Sequence, residues 1–324
     1  MLEEHDALRE TVRTLITREG DTRSAMAASP GYDEKLWARL CDLGVAGLHI
    51  PAEHGGVGAS FQETRIVLAE LGRNLAPGPL IGSVVASAAL LSAGTFELLP
   101  EIAEGTVIPS LVWGPYALNA EAADVFLVPR EDGLYAVPPA EVEVTPCGVM
   151  DPTRRLATVS VTGTGELLGT PDLAWVRDVA CAALAAESTG AAARCLELTV
   201  DYAKQRTQFG RPIGSFQALK HRMADMHVLV ETAESASLAA ASAVVTGDDL
   251  ASVAATASVW CTEAFSTVAG EMIQLHGGIA ITWEHDAHLY FKRAHGNTHL
   301  FGSPREHVAR LATHGSGAKE PDAD

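Results

Sequence analysis

Aromatic residues make up only 6% of the 324 residues, basic residues number 23 against 41 acidic ones, and the five cysteines never fall in a C-x-x-C spacing. Each shortage excludes something. Few aromatics beside alanine-rich runs such as 179–186 argue against a β-rich fold and for closely packed helices. A formal charge of −18 repels a nucleic-acid backbone or an anionic membrane, so neither is expected as a partner. That acidity also serves solubility, and a local basic pocket for a phosphorylated ligand fits inside a negative envelope. An odd set of scattered thiols (Cys41, Cys147, Cys181, Cys195, Cys261) supports neither a disulfide framework nor a zinc site, and reads as buried cysteines of a reducing compartment. The charged start, Met1 to Glu10, has no apolar signal core, and no convincing membrane-length apolar run follows, so the cytoplasm is the default location.

What is present is a chain 47% hydrophobic, long enough to bury a large core in about one to three domains. Leu36, Trp37, Leu40 and Leu43 predict one helical stripe, with Asp33 as N-cap and Gly44 as terminator. After the turn-rich stretch 51–58, Ser60 and Glu63 have capping-box spacing, and Ile66, Val67, Leu68 and Leu71 predict a second helix ending at Gly72. A third is expected between Pro79 and Ala93. From Thr106 to Gly169 the pattern changes to short apolar or alternating runs between Pro, Gly and Asp, which predicts small strands and turns. From Asp172 to Leu311 it is helical again, interrupted at Gly210-Arg-Pro-Ile-Gly214 and at His276-Gly-Gly278. The expected fold is therefore mainly α with a small β region. Its parts are an N-terminal helical domain (1–105), an abbreviated middle β domain (106–169), a C-terminal helical bundle (170–313) and a flexible tail (314–324).

Two motifs carry more than organisation. Arg206-Thr-Gln-Phe-Gly210 with Pro212-Ile213, Phe216-Gln217 and Ala224-Asp225-Met226 in register, and Gln274-Leu-His-Gly-Gly278 further on, resemble the flavin-contacting motifs of acyl-CoA dehydrogenases. The N-terminal stretch Leu36-Trp37…Gly44…Pro51…His54-Gly55-Gly56 and the segment 71–79 are similar to the same family, so the resemblance covers nearly the whole chain. Gly277 to Asp286 with Lys292-Arg293-Ala294 resembles a short actinobacterial branch, although Ala280 departs from the glycine usual there.

The resemblance implies FAD as cofactor and α,β-dehydrogenation of an acyl-CoA: a carboxylate takes the α-proton while the β-hydrogen leaves as hydride to the flavin. It places Arg206 at the flavin pyrophosphate and Gln208 and Phe209 on the adenosine side. Gln274 and the bare backbone of Gly277 and Gly278 would reach the same cofactor, and Ser303 would stand for the family's threonine. In this family such residues serve a flavin held mainly by a neighbouring subunit. The family's proton-removing glutamate has no counterpart in Leu300-Phe301-Gly302-Ser303, and the threonine/serine stretch that covers the flavin ring is missing between Thr106 and Gly169. The alternative family position for the base lands on Ala180. Glu187, two helical turns on, and Glu284 are weak substitutes, and the plainer reading of both is structural. The catalytic base is thus unidentified within this chain.

Three functions remain open on this reading. The first is a subunit of a hetero-oligomer, a heterotetramer with a longer homologous chain that carries the base, acting on sterol side-chain or similar bulky acyl-CoAs and passing electrons to an electron-transfer acceptor. The second is a self-sufficient homo-oligomeric flavoenzyme, and the third a non-catalytic scaffold. Gly163-Thr-Gly-Glu-Leu-Leu-Gly169 reads as a turn rather than a dinucleotide loop. His285, His288, His295 and His299 read as surface or interface residues rather than metal ligands, and the five tryptophans as packing residues.

Overall fold

The computed structural model describes residues 2–315. Six helices open the chain: α1 (Leu2–Glu19), α2 (Thr22–Ala27), α3 (Glu34–Asp42), α4 (Phe61–Arg73), α5 (Leu80–Ala93) and α6 (Leu99–Glu104). Asp33 caps α3 as its sequence position predicts, its Oδ1 accepting from the N–H groups of Lys35 and Leu36 at 2.9 and 3.1 Å. The predicted stripe is shorter than expected. Leu36, Trp37 and Leu40 are buried, whereas Leu43 lies beyond the last turn as C-cap and is exposed. Ser60 caps α4 through its hydroxyl, but Glu63 bonds that hydroxyl and His5 instead of closing a backbone box. Gly72 does not stop α4, which runs on to Arg73.

The role of Gly72 is close packing. A Cβ there would stand 2.0 Å from the carbonyl oxygen of Glu187, and one on Gly190 would stand 1.9 Å from that of Ala69. Glu187 and Gly190 belong to α7 (Leu173–Gln205), so two glycines let the α4 and α7 backbones touch. The first and third sequence regions accordingly share one core, with Leu68, Leu71 and Val84 beside Leu184, Ala185, Ala240 and Ala264.

Between them stand seven short strands: β1 (Pro109–Leu111), β2 (Ala117–Leu118), β3 (Val125–Arg130), β4 (Gly133–Val137), β5 (Val142–Pro146), β6 (Leu156–Val161) and β7 (Glu166–Gly169). They form two sheets, ordered β1-β3-β4-β7 and β2-β6-β5. Only β1 and β3 pair in parallel; the other neighbours are antiparallel. Phe126, Val128 and Val137 of the first sheet meet Ala117 and Ala157 of the second in a small core of their own.

The bundle is completed by α8 (Gln217–Thr246), α9 (Leu250–His276), α10 (Ala287–Asn297) and α11 (Pro304–Gly315). By length and composition α8 could cross a bilayer. Instead it packs against α7 and α9, with Met226, Val230, Ala233, Ser237 and Ala240 buried. Val228, Leu238 and Val245 remain exposed on its outer side. α11 crosses the expected start of the tail, and residues 316–324 lie outside the described residues. Trp260 and Trp283 are exposed, so the tryptophans are not uniformly packing residues.

Candidate functional site

The sequence-predicted cofactor residues separate to the two ends of α7. At about 1.5 Å per residue, the helix puts Arg206, its C-cap, roughly 43 Å from Arg177 in its first turns.

At the Arg206 end the chain turns through a two-strand hairpin, β8 (Thr207–Gln208) and β9 (Arg211–Pro212), in which Gln208 faces Arg211. The turn residues Phe209 and Gly210 have φ of 54° and 77°. Two successive positive φ values form the turn that matches strand twist, but only glycine adopts them freely, so Phe209 is held in a conformation unusual for its type. Its ring is 92% exposed and meets Phe216 edge-on at 6.1 Å, while the Arg211 guanidinium lies 4.0 Å over Phe216. Arg206 and Gln208 are exposed beside it, and no carboxylate among the described residues pairs with Arg206. Gln274, Gly277 and Gly278 lie exposed where α9 ends. Gly277 has φ 66°, and neither it, Gly278 nor Gly210 has any atom within 4 Å of where a Cβ would be. Beneath them His276 is 3% exposed, stacked on Tyr202 at 4.4 Å. Its Nδ1 donates to the Met272 carbonyl at 2.8 Å, which leaves the buried Nε2 without a partner. A free guanidinium, open backbone and an orphaned buried nitrogen fit a phosphate-bearing, aromatic cofactor.

The other end of α7 borders a cavity of about 970 Å³ between α5, the first sheet, the 147–156 segment, α10 and α11. Ser303 belongs here, apart from the hairpin residues. It caps α11, with Glu306 accepting from its backbone N–H at 2.6 Å and from its hydroxyl at 2.8 Å. Phe301 lines the same cavity with φ 62°, its ring standing in the stretch where the resemblance expects the proton-removing glutamate. The loop after β1, Val112 to Tyr116, has no threonine or serine. It brings Trp113 to the wall, 5.5 Å beneath the Arg177 guanidinium.

Glu187 lies behind this wall in a cluster that sequence reasoning did not find. It is 5% exposed. One carboxylate oxygen accepts from Arg293 Nη1 at 2.9 Å; the other accepts from Arg154 Nη2 and, at 3.3 Å, from Asn297 Nδ2. Arg293, 2% exposed, also donates to Asp151 at 2.6 Å and to the Thr153 carbonyl at 2.8 Å. Burial alone would raise the Glu187 carboxyl, but Arg154 and Arg293 outweigh it and hold the group below the usual carboxylate range. Asp151 is held low by the same balance, chiefly through Arg293. Each Glu187 oxygen accepts from an arginine, an arrangement that joins the β region to α7 and α10 and makes the buried carboxylate a poor acceptor for a substrate proton. The available signal was the charged run Asp151-Pro-Thr-Arg-Arg155 inside an otherwise apolar stretch. Glu284 is exposed in the turn before α10 and does not line the cavity.

The chain matches known proteins along most of its length. The N-terminal domain of acyl-CoA dehydrogenases matches residues 2–106 and the C-terminal domain of acyl-CoA dehydrogenases residues 177–314. The acyl-CoA dehydrogenase IpdE2 of Mycobacterium tuberculosis is 48% identical over 316 residues, covering 95% of this chain and 96% of that protein. Acyl-CoA dehydrogenase FadE34 of the same organism is 34% identical over 344 residues, which are 95% of this chain but 47% of FadE34. The crystal structure of the ChsE4-ChsE5 complex from Mycobacterium tuberculosis superposes with a TM-score of 0.88 at 25% identity, covering 98% of each chain.

Proposed function

Because the chain belongs to the acyl-CoA dehydrogenase family, we propose that it is the short subunit of a heteromeric, FAD-dependent enzyme that introduces an α,β double bond into an acyl-CoA thioester. In this reading a longer homologous subunit holds the flavin ring and carries the base. The observation that supports it most is the division along α7: the flavin-type residues face outward at one end, while the cavity at the other has no free carboxylate.

The residues of this chain then act as follows. Arg206 would give a fixed, multi-donor cation to the pyrophosphate, and the bare backbone at Gly277 and Gly278 would admit close approach. Gln208 and Phe209 would contact the adenosine side, and Gln274 would reach the same cofactor. When bound, the flavin accepts the β-hydride. Removal of the α-proton falls to the partner, since Phe301 replaces the base, Glu187 is held between two arginines and Glu284 does not line the cavity. Pairing draws support from FadE34, about half of whose length this chain matches, and from the paired ChsE4-ChsE5 structure. The exposed apolar side chains of α8 give a partner a surface to cover. A bulky acyl group such as a sterol side chain is the first substrate to try, by analogy with the branch it resembles.

The test is the visible flavin spectrum of the chain purified alone and after co-expression with a longer homologue encoded beside it. Flavin in the pair and none in the lone chain is the expected result. Stoichiometric flavin on the lone chain overturns the shared site.

A further inference from the structure

In a chain of net charge −18, the wall of the 970 Å³ cavity is locally basic: Arg154, Arg177, Lys292 and Arg310 line it against Asp151 and Glu306. Both carboxylates are already bonded, Asp151 to Arg293 and Thr153, and Glu306 to Ser303. Arg310 is paired with Asp178. Arg177 and Lys292 differ. Among the described residues neither has a carboxylate partner, and each lies over an indole instead, Trp113 at 5.5 Å and Trp283 at 5.3 Å. Arg154 is 9% exposed and its Nε–H has no hydrogen-bond acceptor. A buried donor without an acceptor is an unfavourable state that a ligand oxygen relieves. The remaining wall is mostly apolar, including Leu111, Tyr116, Met150, Phe291 and Phe301.

We propose that this cavity binds a bulky apolar carboxylate and holds it unreacted. Its volume is at the upper end of small-molecule sites, too large for a short straight chain to fill, so a polycyclic body suits it better. The carboxylate lies against Arg177, whose planar fork matches two oxygens and whose Trp113 support restricts its rotamers. No proton is taken from the bound acid, because an ionised carboxylate does not acidify its α-hydrogens as a thioester does, and the lining carboxylates are hydrogen-bonded elsewhere. The cavity is therefore a sensing or stabilising site within the chain, tied to stability through ligand linkage. This inference does not rest on the heteromer, and its failure leaves the flavin test untouched.

The experiment titrates the full chain with 1-pyrenebutyrate, following pyrene fluorescence, with 1-pyrenebutanol as the uncharged control and 1-pyrenebutyryl-CoA as the thioester arm. Expected are saturable binding of the acid, binding of the alcohol at least tenfold weaker, and an Arg177→Gln chain that binds the acid at least tenfold more weakly. If R177Q loses its helical circular dichroism, Lys292→Gln takes its place, with at least threefold weaker binding expected. Absence of saturable binding, equal binding of acid and alcohol, or affinity indifferent to the folded variant overturns the proposal. A thioester that binds at least tenfold tighter than the acid and ignores the Arg177 substitution also overturns it, in favour of a CoA site.

Discussion

The two ends of α7 each display arginines, and they are used in opposite ways. Arg154 and Arg293 are buried near its N-terminal half, where they close on Glu187, Asp151 and Asn297 until both oxygens of Glu187 are occupied. Arg206, at its C-terminal end, stands in solvent beside an exposed phenylalanine and three glycines with empty space above them. A buried guanidinium is tolerable only when paired and hydrogen-bonded, so the first pair must serve the fold. An arginine left free on a strained, apolar turn gains nothing for the fold and is available to another molecule. The difference separates residues that hold this chain together from residues that wait for a ligand, without reference to which side chains look chemically able.

The largest way to break the comparison is Glu187→Leu. It leaves Arg154 and Arg293 buried without their shared counter-charge, a type of loss that costs about 3–5 kcal/mol. Urea unfolding should show that loss, and a cost below about 1 kcal/mol would mean that the cluster does not join the β region to the bundle. Next comes Gly190→Val, which forces α7 away from α4 at the Ala69 carbonyl. Overpacking of this kind costs about 1–3 kcal/mol. Gly270→Ala supplies the contrast, because Gly270 lies inside α9 with no atom within 4 Å of the new methyl. That change should stabilise the chain by about 0.5–1 kcal/mol through helix propensity, read from the same denaturant midpoints.

Acid sharpens the same division. His307 is buried, and burial first, then Arg310 and Arg177, pushes its ring below the ordinary histidine range. The native state stays neutral while the unfolded chain takes up a proton, so this contribution is present above about pH 6.5 and is lost as pH falls below it. Glu187 and Asp151 act lower. Their depressed carboxyls give stability that is complete above about pH 4–5 and disappears as pH falls through their folded values. Thermal melts between pH 7 and pH 3 should therefore decline in two stages, with His307→Asn reducing the upper stage, which His49 and His276, also pushed down by burial, share, and Glu187→Gln reducing the lower. A single transition unaffected by either variant would contradict this account.

Much of the architecture is legible in the sequence because it is local. Asp33 and Ser60 cap the helices they precede, and the breaks at 210–214 and 276–278 fall where α7, α8 and α9 end or begin. The charged first residues do not announce α1, since among its described side chains Val12 and Ile16 are the buried apolar ones and charge dilutes the pattern. Gly72 reads as a terminator until α4 and α7 are seen to meet there. The Glu187 cluster is out of reach for the same reason: its partners are more than thirty residues away in sequence, and only the fold makes an isolated glutamate into half of two ion pairs. Phe301 is the opposite case, a local absence that the structure places on the cavity wall.

The smallest effect on this chain should come from Arg206→Ala, and that smallness is its value. Arg206 has no carboxylate partner among the described residues, and its guanidinium is not needed for the β8–β9 pairing, whose bonds are between backbones. The melting temperature of the lone chain should not move. The flavin content of the co-expressed pair should fall at least tenfold, because a pyrophosphate that loses a multi-donor cation loses charge and geometry together. Arg206→Lys should recover only part of it, an ammonium keeping the charge but not the fork. A pair that keeps its flavin through R206A would make this subunit a scaffold, and the outward-facing end of α7 would then be a docking surface for protein alone.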